Sequence, residues 1–126
     1  MANQIKKILI IEDDKDLLFL LNKKLGNEGF NVIICETGQQ ALDYLAKEKP
    51  DFILLDILLP DIDGLSILNE IAKSPETKNL PVIILSNLAD QGSFDQAAAI
   101  GDYEYLVKTK TNLNEVIKKI KIKLEI

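Results

Sequence analysis

Asp51-Phe-Ile-Leu-Leu-Asp56 sets four consecutive large apolar residues between two carboxylates. A run that short does not make a helix, and without polar alternation it reads as a strand buried on both faces. Similar runs lie on either side of it: Ile8 to Ile11 and Asn31 to Cys35 upstream, Pro81 to Leu85 and Tyr103 to Val107 downstream. The segments between them carry apolar residues at helical spacing. These are Leu17, Leu21 and Leu25; Ala41, Leu42 and Leu45; Leu65, Leu68, Ile71 and Ala72; Phe94, Ala97 and Ala98; and Leu113, Val116, Ile117 and Ile120. The punctuation agrees: Gly26 or Gly29 can close the first helix and Gly101 the fourth, Thr37 can cap the second, and Asn112 with Glu115 resembles a capping box. Strand-helix alternation repeated five times implies right-handed crossovers and a doubly wound parallel α/β sheet, one domain over residues 1–126. The tail from Ile120 to Ile126 alternates as a strand would, but the spacing from Asn112 onward favours a helix with Ile122 and Ile126 facing out.

At 126 residues and 47% apolar content the chain can bury one real core. Its 15 basic residues are all lysine, there is no histidine, and the net charge is −5. That balance argues against direct nucleic-acid binding and against attraction to an anionic membrane surface. The lack of histidine excludes histidine-ligated zinc and a Ser-His-Asp triad. Cys35 lies in an apolar run and reads as a packed thiol in a reducing cytoplasm. Neither a signal peptide nor a membrane span is expected from the first residues.

In such a sheet, ligands bind beyond the carboxyl ends of the strands. The residues standing there are Glu12-Asp13-Asp14 after the first run, Glu36 after the second, Asp56 after the third, Ser86 after the fourth and Lys108 after the fifth. If the first and third strands are neighbours, Glu12, Asp13 and Asp56 converge, and three carboxylates brought together call for a cation. All-oxygen ligation favours Mg2+, which shares its coordination with waters and phosphate oxygens. Lys108 and Ser86 could then serve an acyl phosphate on Asp56 as counter-charge and hydrogen-bond donor.

Four segments, Lys7 to Asp14, Asp51 to Gly64, Pro81 to Ser86 and Gly101 to Lys108, resemble in order and spacing the landmark motifs of response-regulator receiver domains. The resemblance covers essentially the whole chain. It implies a flavodoxin-like strand order 2-1-3-4-5 and a phosphoacceptor of two-component or phosphorelay signalling, which assists its own phosphorylation without being an enzyme. By the same resemblance Asp56 is the phosphoacceptor. Asp13 is a direct Mg2+ ligand, Glu12 acts through water, and Leu58 offers its backbone carbonyl to the metal. Ser86 is the switch hydroxyl, Lys108 the phosphoryl-binding lysine and Tyr105 the aromatic that swings inward. The implied partners are a sensor histidine kinase or histidine phosphotransfer protein and a downstream protein, with the chain a monomer or a phosphorylation-dependent homodimer. The face formed by the fourth helix, fifth strand and fifth helix is the implied output surface.

The sequence also departs from the family. Thr109 follows Lys108 where relatives usually carry proline, so a trans peptide bond is expected there. Leu58 and Leu88 are apolar where many relatives place a group that guides the hydrolytic water, which predicts slow loss of phosphate. Leu17 to Leu21 are five apolar residues in a row, and Phe19 points away from the Leu17, Leu21, Leu25 stripe, as a docking point for the phosphodonor would.

Two rival readings remain. Asp14-Lys-Asp16 superficially matches the Asp-x-Asp signature of haloacid-dehalogenase-type phosphohydrolases, with Asp14 as nucleophile. The other is a receiver fold used only as a binding module.

Overall fold

The computed structural model describes residues 4–126. Its elements alternate as β1 (Lys7–Ile11), α1 (Lys15–Asn27), β2 (Asn31–Cys35), α2 (Gly38–Lys47), β3 (Phe52–Leu55), α3 (Gly64–Lys73), β4 (Val82–Ser86), α4 (Gln91–Ile100), β5 (Glu104–Val107) and α5 (Leu113–Leu124), with a 3-10 turn at Lys108–Lys110. All pairings are parallel, and the order is β2-β1-β3-β4-β5.

The sheet divides the core in two because strand side chains alternate between faces. Ile8, Ile10, Phe52, Leu54, Ile83 and Leu85 pack against α1 and α5; Leu9, Ile11, Ile53, Leu55, Val82 and Ile84 pack against α2, α3 and α4. For this reason the central strands are apolar from Ile8 to Ile11 in β1, Phe52 to Leu55 in β3 and Val82 to Leu85 in β4. The edge strands are not fully enclosed: Ile34 in β2 is exposed and every residue of β5 is half-buried.

Helix starts follow local chemistry. Asp14, Thr37, Asp63, Asp90 and Asn112 each cap the helix that follows, accepting from one or two of its first backbone N–H groups. At the end of α1, Gly29 takes φ +91, and Phe30 N–H reaches back to the Leu25 carbonyl.

Two helix faces differ from the sequence reading. In α1 it is Leu18 that is buried with Leu21 and Leu25, while Leu17 is half-buried at the edge of the same core cluster. In α4, Ala98 is exposed and the buried positions are Ser93 and Ala97, flanked by half-buried Phe94. Small side chains leave the helix rotation to its neighbours. The tail is helical to Leu124, and Ile122 and Ile126 face solvent.

Candidate functional site

The register of the sheet builds the site. Ile11 in β1 lies opposite Leu55 in β3, so the residues that follow, Glu12 and Asp56, emerge side by side at the same edge. The backbone fixes Asp56 further, since its N–H donates to the Ile11 carbonyl. Glu12, Asp13 and Asp56 each bring a carboxylate oxygen to within 4.8 Å of the others. Glu12 and Asp56 are buried, whereas Asp13 is exposed.

Lys108 reaches this cluster from the end of β5. Its Nζ lies 2.7 Å from Asp56 Oδ2 and 2.8 Å from Glu12 Oε1. The second oxygen of each carboxylate is held by backbone: Leu58 N–H donates to Asp56 Oδ1 at 3.0 Å, and the N–H groups of Asp13 and Asp14 donate to Glu12 Oε2 at 3.1 and 3.0 Å. Among the described residues no peptide bond is cis, and Lys108 reaches the carboxylates with Thr109 next to it.

One ammonium does not balance three carboxylates. Burial pushes the Glu12 carboxyl up to about 7, the Lys108 hydrogen bond and the Asp14 N–H pull it back, and the Asp56 charge adds to the rise. Burial disfavours the charged Lys108 ammonium, but its hydrogen bonds to Asp56 and Glu12 outweigh that and raise its pKa.

The loop after β3 is pressed against the site. At Gly64, the first residue of α3, an added Cβ would stand 2.4 Å from Ile57 Cα and 2.6 Å from the Asp56 carbonyl oxygen. Only glycine permits that approach. Asp61 in the same loop accepts from the Gly38 and Gln39 N–H groups at 2.8 and 2.9 Å, fastening the loop to the start of α2.

Ser86 closes β4 with its side chain fully buried, and its Oγ accepts from Leu88 N–H at 3.3 Å. Tyr105, in β5, donates its hydroxyl to the Leu88 carbonyl at 2.6 Å, with its ring edge-on to Phe94 at 4.7 Å. Burial raises its pKa, against the pull of the Ser86 hydroxyl. Leu58 exposes 52% of its surface beside Asp56, whereas Leu88 is half-buried against the core. Phe19 is exposed to 67% on α1.

Not every strand end joins the cluster. Glu36 pairs with Lys15 at 3.4 Å and its N–H donates to Gln40, leaving it outside the three-carboxylate group. Asp14 is the cap of α1 and Asp16 lies in its first turn, both exposed, so the Asp-x-Asp alternative has its acids occupied in starting a helix.

One residue that the sequence reading passed over lines the site. A cleft of about 370 Å³ lies above Asp56, and Asn87 forms part of its wall with Asp13, Asp14, Leu58, Pro60 and Lys108. Its position directly after the strand-end Ser86 was the signal available.

A family model described as a response regulator receiver domain matches residues 8–121. Sporulation initiation phosphotransferase F of Bacillus subtilis is 33% identical over 103 residues, covering 82% of this chain and 82% of that protein. Regulatory protein VanRc of Enterococcus gallinarum is 34% identical over 119 residues, covering 94% of this chain but 50% of its own length. The chain spans half or less of several further curated relatives. Among solved structures, a CheY-like receiver domain protein from Methanospirillum hungatei superposes with a TM-score of 0.89 at 29% identity, covering 97% of this chain and 95% of that one.

Proposed function

The chain belongs to the response regulator receiver family of two-component signalling, and on that premise we propose that Asp56 takes a phosphoryl group from phosphohistidine with Mg2+ held beside it. The observation that carries this reading is the convergence on one buried carboxylate of two further acids and a lysine from three different strand ends.

The donor set suits the metal. It is all oxygen, it is over-supplied with negative charge, and its buried Glu12 is already pushed toward protonation without a cation. Asp13 and Asp56 would ligate directly, Glu12 through water, and Leu58 through its backbone carbonyl. Bound there, Mg2+ would neutralise charge on the phosphoryl oxygens.

The chain's own residues do the rest. An Asp56 carboxylate oxygen attacks phosphorus as the P–N bond of the donor breaks, its electron pair leaving on the imidazole nitrogen. Lys108, freed from part of its bond to Asp56, follows the charge onto the phosphoryl oxygens. Ser86 turns its hydroxyl toward the same group, and Tyr105, tied to the Leu88 carbonyl, registers the movement of that loop.

Phe19 supplies an exposed apolar contact for the histidine kinase or phosphotransfer protein. The switched chain acts on a downstream protein in the cytoplasm. Incubation with magnesium and acetyl phosphate followed by intact mass tests the core of this reading. One added phosphate in the wild type and none in Asp56→Asn is the expected result; equal phosphate in both would overturn it.

A further inference from the structure

We propose that the Asn87 side-chain amide is a hydrogen-bond donor to the phosphoryl group as it arrives on Asp56, a role that rests on Asp56 being the phosphoacceptor. An incoming phosphoryl group brings three charged oxygens into a cleft whose rim includes the carboxylates of Asp13 and Asp14. Lys108, the cation lining the cleft, is already shared between Asp56 and Glu12. The Leu58 N–H is engaged with Asp56 Oδ1. The Ser86 hydroxyl is fully buried, accepts from the Leu88 N–H, and meets the phosphoryl group only by turning toward it. Asn87 differs from all of these: it lines the cleft, is exposed, and its side chain has no hydrogen-bond partner among the described residues.

The chemistry favours a carboxamide here. It offers two N–H donors without charge, so it needs no counter-ion between phosphate arrivals and adds no repulsion to an acidic rim. When Asp56 attacks acetyl phosphate, the new P–O bond forms as the old one breaks, and the electron pair leaves on acetate. The loose transition state spreads charge over the three equatorial oxygens, where a single positioned N–H strengthens as charge develops. The side chains of Leu58, Leu59 and Pro60, which also line the cleft, cannot do this, so the neutral side-chain donor among the lining residues is Asn87.

The test is a time course of phosphate uptake from acetyl phosphate with magnesium, read by intact mass. Asn87→Ala and Asn87→Leu are expected to slow uptake by about tenfold, the loss of one charge-assisted hydrogen bond. Asn87→Gln should recover part of the rate. Asn87→Asp should be slower than Asn87→Ala, because it replaces donors with a like charge; a purely structural role at this exposed position would not produce that order. Uptake by Asn87→Ala and Asn87→Leu at the wild-type rate or faster would overturn the proposal while leaving Asp56 in place. Equal uptake by Asp56→Asn and wild type would remove the underlying reading and this one with it.

Discussion

Lys108 Nζ stands 2.7 Å from Asp56 Oδ2 across 52 residues of chain, and the same nitrogen reaches Glu12 at 2.8 Å. This single ammonium ties the ends of β1, β3 and β5 together. Lys108→Ala therefore leaves two buried carboxylates without their cation. Phosphate uptake from acetyl phosphate, followed by intact mass, is expected to fall at least about tenfold. An unchanged rate would remove Lys108 from the phosphoryl site.

The three-carboxylate group predicts a metal effect that needs no phosphate. Magnesium at about ten times its dissociation constant should stabilise the folded chain by about 1.4 kcal/mol, or a rise of several degrees in Tm. Asp13→Asn, which removes the exposed carboxylate and leaves the buried pair intact, should abolish most of that rise. Thermal melts with and without magnesium decide it.

The structure sharpens the expectation of a long-lived acyl phosphate. Leu88 is half-buried against the core, so changing it to Glu would disturb packing as well as chemistry. Leu58 is exposed beside Asp56 and can be changed without that penalty. Leu58→Asn should speed loss of acid-labile phosphate several-fold by giving the attacking water a partner, and identical decay curves would count against the idea.

Gly64 cannot carry a side chain while α3 starts where it does. Gly64→Ala would force Ile57 and the Asp56 carbonyl outward, costing about 2 kcal/mol in urea unfolding. Because the displaced atoms adjoin Asp56, phosphate uptake should fall in the same variant.

Glu104 makes a pH-dependent contribution away from the site. Its hydrogen bond with Lys119 holds its carboxyl below the usual carboxylate range, against the opposing effect of burial and with help from Lys123. A lowered folded-state pKa stabilises the fold above the unfolded value of about 4.3, and that contribution is lost as pH falls through the folded value. Glu104→Gln should therefore lower the urea midpoint slightly at pH 7, with the difference from wild type vanishing near about pH 2.5.

Much of this molecule could be read before its structure. The continuous apolar runs at β1, β3 and β4 are legible because a strand buried on both faces leaves no polar position to blur the pattern. With strand order supplied by family resemblance, the residues after β1, β3 and β5 bring Glu12, Asp13, Asp56 and Lys108 to one place. Helix rotation was harder to read. In α1 five apolar residues in a row allow more than one buried face, and spacing alone does not select Leu18 over Leu17; in α4, alanines carry too little bulk to fix the face. Asn87 escaped because only Ser86 was read at the end of β4, and a wall residue of a cleft has no periodicity to announce it.

The hydroxyl of Tyr105 on the Leu88 carbonyl has a practical consequence. The chain contains no tryptophan and three tyrosines, and Tyr44 lies on α2 while Tyr103 precedes β5. Tyr105 alone of the three bonds the loop that follows Ser86, so near-ultraviolet absorbance of the unlabelled protein carries an optical readout of that loop, and Tyr105→Phe supplies its blank.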